Sequence, residues 1–327
     1  MRSDLAGRGV AARGILLASM WSIAACGPGV DDSQPVDAAV VTASPGSTVG
    51  PLDSASTVET STSLPPDSGE VPPAYDPTFT ATPVSTCDTL VTGAVGYRNT
   101  TGNVANAYRK LGNTWTGRSV WAEHWGPPVG PQIVLVGQIH GNECAPAWVV
   151  NEMRSRPPMS YGLWLIPTLN PDGLASFDRR NHEGIDLNRD GGRLQSIEMN
   201  LLLDFVREVQ PVLTIHLHSP LGFVGTFNGA ANGGVADRVA LEISRQVGWG
   251  ELNSAGTNTE AEGLFAWQAI DRVLPGTPSI LIELPSVSFD EAPGAPNRTQ
   301  RSYGNVETAR IFARVIRDVL EVEFGAK

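Results

Sequence analysis

The stretch PQIVLVGQIHGNECAP, residues 131–146, runs from four consecutive apolar residues, Ile133 to Val136, into a His three places before a Glu, then into Ala145 and Pro146, which can open a helix. An unbroken apolar run bounded by turn residues is the pattern of a strand buried on both faces. Three more runs of this kind follow: GLWLIP (162–167), PVLTIHL (211–217) and PSILIEL (278–284). Amphipathic stretches at 145–156, 195–209, 235–247 and 305–322 read as helices, the last with Val306, Ala309, Phe312, Ile316 and Val319 at helical spacing. Alternation of the two patterns predicts a single α/β domain, and no internal repeat is visible.

In open α/β sheets functional groups gather just beyond the carboxyl ends of the strands. His140 and Glu143 follow the first predicted strand, and Asn170, Pro171, Asp172 and Gly173 follow the second. The third ends in His216, His218 and Ser219, and the fourth delivers Glu283. An isolated HxxE match carries little weight in a chain with 5 His and 34 acidic residues; imidazoles from two strand ends and carboxylates from two make a constellation. A catalytic zinc takes three ligands from His, Asp or Glu and leaves a fourth position for water. His140 and Glu143 can supply two, and the third can be His216 or His218, which share one side of a strand, so that periodicity does not choose between them. Peptide hydrolysis also needs a base for the water proton, for which Glu283 is the candidate, and a cation to meet charge on the carbonyl oxygen. Arg179, Arg180 and Arg189 in DRRNHEGIDLNRD (178–190) are available, although such a loop can equally pair its Arg with Asp178, Glu183 or Asp190.

The rest of the chain differs in composition. Residues 1–25 carry Arg2, Arg8 and Arg13 and then an apolar run too short to span a bilayer, the layout of a secretory signal. Ile23, Ala24, Ala25 and Cys26 resemble the lipobox of bacterial lipoproteins, which implies lipidation at Cys26, a membrane anchor and an extracytoplasmic address in a bacterial envelope. Residues 26–87 are rich in Pro, Ser and Thr, with no Lys, Arg or His, and are expected to form a disordered tether. The catalytic domain is expected over 88–327. Net charge is −11; removing residues 1–25 takes away three Arg and one Asp, leaving −13. Such acidity argues against nucleic acid as a partner and against electrostatic adhesion to anionic lipid. Two Cys remain in the exported chain, Cys87 and Cys144, to be read as a disulfide or as two free thiols, with Cys144 as a metal ligand a weaker third reading.

From about residue 105 onward, ordered motifs resemble those of the carboxypeptidase A-like zinc carboxypeptidases. GNTWTGRSVW (112–121) is similar to an early GxSxxGR segment, and VGQIHGNECAP carries the HxxE. LNPDG (169–173) and RRNHEGIDLNR (179–189) are similar to the NPDG and RxNxxGxDLNR elements, LHSP (217–220) to the segment of the third ligand and ILIELP (280–285) to that of the catalytic Glu. The resemblance implies a mixed, mostly parallel central sheet flanked by helices and one zinc ion held by His140, Glu143 and His218, the His-Ser step choosing His218. It implies that Arg179 polarises the scissile carbonyl, that Asn188 and Arg189 hold a free terminal carboxylate, and that Glu283 is the base. An Arg fork suits a carboxylate better than Lys does.

Two positions depart from the pattern. Pancreatic-type members use a Tyr some two dozen residues before the base, and this chain has no Tyr between Tyr161 and Tyr303, which leaves the closing contact to something near Asn258 or to nothing. Asp190 stands where Asn commonly follows the Asn-Arg pair. The compact domain looks closest to the bacterial branch with murein tripeptide amidase and γ-D-glutamyl-diaminopimelate peptidases, which implies peptidoglycan-derived peptides as substrate. Rival readings are a general carboxypeptidase on scavenged peptides, with Phe265 and Trp267 beside an apolar specificity pocket, a catalytically silent wall-binding lipoprotein, and a deacylase of N-acyl amino acids.

Overall fold

The computed structural model describes residues 101–285 and 306–325. The expected signal (1–25), the tether (26–87) and Cys26 lie outside the described residues. An eight-stranded mixed sheet forms the centre. Its strands are β1 (Ala107–Asn113), β2 (Ser119–Trp125), β3 (Gln132–Val136), β4 (Gly162–Ile166), β5 (Leu213–His218), β6 (Leu221–Phe227), β7 (Asn253–Ser254) and β8 (Ser279–Pro285). They lie in the order β1-β2-β4-β3-β5-β8-β6-β7. The four strands read from the sequence are the four in the middle, β4, β3, β5 and β8, paired in parallel, while β2 joins β4 and β6 joins β8 antiparallel.

Helices are α1 (Ala145–Met153), α2 (Pro171–Ser176), α3 (Ile197–Val209), α4 (Ala231–Gln246), α5 (Ala266–Val273) and α6 (Val306–Phe324). Asn232, Gly233 and Gly234 have left-handed backbone, so the regular part of α4 begins at Val235, where the sequence places it. The expectation missed α2, too short to show two turns of periodicity, α5, which barely exceeds two turns, and the strands β1, β2, β6 and β7, among which the charged, half-buried residues of the edge strand β1 give no apolar run. Among the described residues no helix is long and apolar enough to cross a membrane.

The two-residue period of the strands sorts the core into two layers. On one face Ile133, Leu135, Leu213, Ile215, Leu217, Ile280, Ile282 and Leu284 pack with α1, α4 and α6, including Phe312 and Ile316. On the other, Val134, Val136, Trp164 and Ile166 pack with α3 and α5 through Leu202, Val206, Ala266 and Ile270. The intervening residues of β5 and β8 also point to this second face. They form a column in strand register, polar except for Leu281, with Thr214 beside Ser279, His216 beside Leu281 and His218 beside Glu283. Thr214 and Ser279 satisfy each other with a 2.7 Å hydroxyl contact. The column reaches the carboxyl edge at His218 and Glu283, where chemistry is expected.

Under β2, Glu123 and Arg154 form a wholly buried ion pair. Arg154 Nε donates to Glu123 Oε2 at 2.9 Å and Nη2 to Oε1 at 2.6 Å, while Trp125 Nε1 donates to Oε2 at 3.2 Å. Cys144, at the N-terminus of α1, is disulfide-bonded, which removes the free-thiol and metal-ligand readings; the other two Cys, Cys26 and Cys87, lie outside the described residues.

Candidate metal centre and its cavity

The loop between β3 and α1 is shaped by its neighbours. Gln138, fully buried, donates from Nε2 to Glu143 O at 2.9 Å, and Glu143 N donates to His140 O at 3.1 Å, which closes the His140–Glu143 turn. The NPDG segment buttresses it: Asn170 Nδ2 donates to Ile139 O at 3.2 Å, and its Oδ1 accepts from Gly173 N at 2.8 Å to cap α2. Gly141 lies so close to the Gly173 backbone that a Cβ would collide with it, so the His140–Glu143 loop needs glycine at this crossing; a Cβ on Gly173 would meet Asn170 and the Arg180 carbonyl instead.

Within that frame three donors converge. His140 Nδ1 lies 2.6 Å from Glu143 Oε1, and His218 Nδ1 lies 3.3 Å from Glu143 Oε2. One ligand atom from each of His140, Glu143 and His218 falls within 4.8 Å of the others, and all three residues are buried. His216, two residues back on the same face, stays out of the cluster. It contacts Thr214 Oγ1 through Nε2 at 3.3 Å and packs edge-on against Trp267. Burial, reinforced by His218, pushes its imidazole down to about 3 and keeps it neutral. The choice that periodicity left open is thus made by depth along β5.

The electrostatics suit a divalent cation. Burial alone would raise the Glu143 carboxyl, but His140, and after it His218, bring it down to about 2. His140 is raised: its burial acts downward, and Glu143 and Asp186 outweigh it. A carboxylate held ionised beside two buried imidazoles marks where a dication would be held, and three donors of these types leave room for water or substrate.

Asp186 is the functional residue that the sequence reading missed. Its Oδ1 accepts from His140 Nε2 at 3.1 Å and Oδ2 from Arg179 Nε at 2.8 Å. Burial would raise Asp186, yet these contacts hold it well below the usual carboxylate range. Such a carboxylate fixes the ligating tautomer of its His. The same contact turns Arg179 toward the centre, with Nη1 3.5 Å from Glu143 Oε1.

The seven residues expected to bind metal or substrate or to act in catalysis line a single cavity of about 300 Å³: His140, Glu143, His218, Glu283, Arg179, Asn188 and Arg189. Burial raises Glu283 above the ordinary carboxylate value, with His218 acting downward and Glu143 upward. Arg189 follows Asn188 in the short 3-10 turn Leu187–Arg189. Its Nη1 donates to Asn188 O at 2.8 Å, its guanidinium lies 4.6 Å from the Phe265 ring centre, and among the described residues no carboxylate pairs with it. Asn188 Oδ1 accepts from Ala266 N at 3.0 Å, tying this turn to the start of α5.

The remaining residues weighed in the sequence take other places. Arg180 and His182 are exposed, and His124 is buried beside Trp164 with Nε2 3.2 Å from Gln132 Oε1. Asp190 is structural: its Oδ2 accepts from Ser196 N and Oγ at 2.8 and 2.6 Å, which sets up the first turn of α3. Asn258 spends its side chain on Gly263 O at 2.9 Å within its own loop, so it does not replace the absent Tyr.

A metallo-carboxypeptidase from Burkholderia cenocepacia superposes on this arrangement with a TM-score of 0.51 and 18% identity, over 66% of this chain and 64% of that one. The chain has the metallo-carboxypeptidase fold. It spans just under two thirds of the length of the Burkholderia protein. Also similar, with lower scores, are the murein-tripeptide amidase MpaA from Escherichia coli O157 (TM-score 0.48, 16% identity, 66% of this chain and 94% of that one) and a metallo-carboxypeptidase from Pseudomonas aeruginosa in complex with (2-guanidinoethylmercapto)succinic acid (0.49, 18%, 72% and 67%). No protein-family model matches the chain, and no curated protein is similar to it at a significant level. In this metallo-carboxypeptidase fold the sheet's carboxyl edge carries the candidate centre, with Asp186 and Arg179 behind it and the Arg189 turn facing it.

Proposed function

We propose that the protein is a zinc-dependent metallocarboxypeptidase, which hydrolyses the bond before a C-terminal residue with a free carboxylate. The observation that carries this reading is the meeting of the His140–Glu143–His218 donor set, Glu283 and an Arg189 that no carboxylate among the described residues pairs, in one cavity. His140, Glu143 and His218 would hold the zinc. When bound, the ion supplies Lewis acidity and lowers the pKa of water toward neutrality.

The chain's own groups do the rest. Arg189 pairs with the terminal carboxylate, its partly buried guanidinium having no competing anion among the described residues, and Asn188 holds the turn that presents it. Arg179, steered by Asp186, donates to the carbonyl oxygen as negative charge grows there. Glu283 accepts the proton of the attacking water and returns it to the leaving nitrogen, a task suited to a carboxylate that burial has made more basic.

Lipidation at Cys26 and the tether over 26–87 would place the 88–327 catalytic domain outside the cytoplasmic membrane of a bacterial envelope. Two pools of peptide are within reach there, wall-derived stem peptides and scavenged oligopeptides, and the choice turns on the pocket that receives the terminal side chain. The test is metal content together with hydrolysis of N-acylated dipeptides by wild type and Glu283→Gln. One zinc per chain, chelator-sensitive turnover in wild type and none in the variant support the reading. Zinc with no turnover in either would make it a silent binding protein, and turnover of N-acyl amino acids but of no dipeptide would make it a deacylase.

A further inference from the structure

Arg179, Asp186, Asn188 and Arg189 all belong to one loop, residues 178–190, and the first turn of α3 holds that loop near each end. At the first hold, Asn181 Oδ1 accepts from Glu183 N at 3.1 Å and from Ile185 N at 2.9 Å, and Asn181 N donates to Ile185 O at 2.9 Å. These bonds close 181–185 into a tight hairpin whose legs lead to Arg179 and Asp186. Asn181 Nδ2 in turn donates to Glu198 Oε2 at 3.1 Å. At the second hold, Asp190 Oδ1 accepts from Gln195 N at 3.0 Å, beside the bonds from Ser196 N and Oγ to its Oδ2. Asp190 directly follows Asn188 and Arg189, Ser196 is the N-cap of α3, and Glu198 lies in its first turn. Asn181, Asp190, Ser196 and Glu198 are all buried, where water does not compete for these bonds. None of the four lines the cavity, so any influence on the reaction passes through the loop. The helix is a fixed reference for it, because Met199, Leu202 and Val206 pack into the second core layer.

We propose that the first turn of α3 is a two-point clamp whose halves govern different steps. Glu198, through Asn181, is a positioning residue for Arg179 and Asp186, and so sets carbonyl polarisation and metal affinity. Ser196, through Asp190, positions Asn188 and Arg189, and so sets capture of the terminal carboxylate. The proposal rests on the hydrolytic reading for the tasks of Arg179 and Arg189. Close placement matters on the first side: Arg179 Nη1 stands 3.5 Å from Glu143 Oε1 and Asp186 Oδ1 3.1 Å from His140 Nε2. A shift of roughly 1 Å in the hairpin spoils both contacts, and misplacement on that scale lowers turnover even when its origin is remote from the reacting atoms. The halves are separable because each has a further anchor. Ala266 N holds Asn188 Oδ1 at 3.0 Å, so releasing Asn181 leaves the Arg189 turn in place. His140 and Arg179 hold Asp186, so releasing Asp190 leaves the other half in place.

The experiment compares Glu198→Ala, Glu198→Gln, Asp190→Ala and Ser196→Ala with wild type in the full chain. Four quantities are read: zinc affinity by chelator competition, kcat and KM on an N-acyl dipeptide, and calorimetric affinity of the zinc-loaded protein for N-acetyl-L-alanine, a product-like carboxylate. Glu198→Ala should lower zinc affinity and kcat about tenfold each, with KM and probe affinity within about twofold of wild type. Glu198→Gln keeps an acceptor for Asn181 Nδ2 and should restore zinc affinity and kcat to within about threefold. Asp190→Ala should raise KM and weaken probe binding about tenfold, with zinc affinity and kcat within about twofold. Ser196→Ala removes one of the three donors to Asp190 and should act in the same direction to a smaller extent; it serves where Asp190→Ala does not fold. Asn181→Asp, which keeps the Oδ1 bonds and loses the donor to Glu198, serves where Glu198→Ala does not fold. Parallel losses in all four quantities, or in none, overturn the proposal, as does a Glu198→Gln as impaired as Glu198→Ala. Wild type that binds zinc and the probe without turnover would sink the hydrolytic reading alone, since the split between zinc and probe affinities still tests the clamp.

Discussion

His218 and Glu283 stand opposite each other on neighbouring parallel strands, at the carboxyl ends of β5 and β8. The pairing register therefore fixes the distance between a candidate ligand and the candidate base without any loop intervening. Because both strands are buried on both faces, a register slip would turn each side chain into the opposite layer of the core, which makes the juxtaposition rigid.

Replacing the base tests this relationship. Glu283→Gln keeps the shape but cannot take up a proton, and should lower kcat by roughly 10²–10⁴. Zinc content should be unchanged, since Glu283 is outside the donor set. Steady-state kinetics paired with metal analysis read both quantities in one preparation.

Asp186 should govern metal affinity from behind. Asp186→Asn removes the charge that orients His140 Nε2 and Arg179 Nε. Zinc affinity should fall about 10–100-fold, read by competition with a chromogenic chelator. The fold should tolerate the change, because Asp186 is half-buried at a loop.

How much of this site was legible in the sequence follows from where its information lies. The strand ends at His140, His218 and Glu283 are marked by continuous apolar runs, so the central sheet and its active edge read directly. Period two also carries Leu281 to the side of Glu283, a signal present but unread. Asp186 was illegible in its role, because its contact with His140 spans 46 residues and has no local pattern; the only signal was the general need of a ligating His for an outer carboxylate. The hairpin of β1 and β2 was missed because an edge strand with Arg109 and Lys110 buries too little to leave a periodic trace.

Removing one half of the ion pair beneath β2 should be costly. Arg154→Met leaves Glu123 buried with Trp125 Nε1 as its remaining side-chain donor among the described residues. The expected loss is about 3–5 kcal/mol of unfolding free energy, measured by urea denaturation at neutral pH. A loss under ~1 kcal/mol would mean that the pair is solvated in solution.

Acid should destabilise the fold through His124 before most carboxylates titrate. Burial pushes its pKa from 6.5 down to about 4, so the unfolded chain takes up a proton that the folded chain refuses. Stability from this group is therefore complete above about 6.5 and lost as pH falls toward 4, by up to ~3 kcal/mol. In His124→Phe the decline of the melting temperature over that window should be shallower than in wild type.

The most direct test of the central claim is a competitive zinc titration of wild type against His218→Ala and His216→Ala. One tight site should appear in wild type and persist in His216→Ala, whose imidazole lies outside the donor set, and should be lost or weakened by orders of magnitude in His218→Ala. Wild-type zinc affinity in His218→Ala would contradict the account.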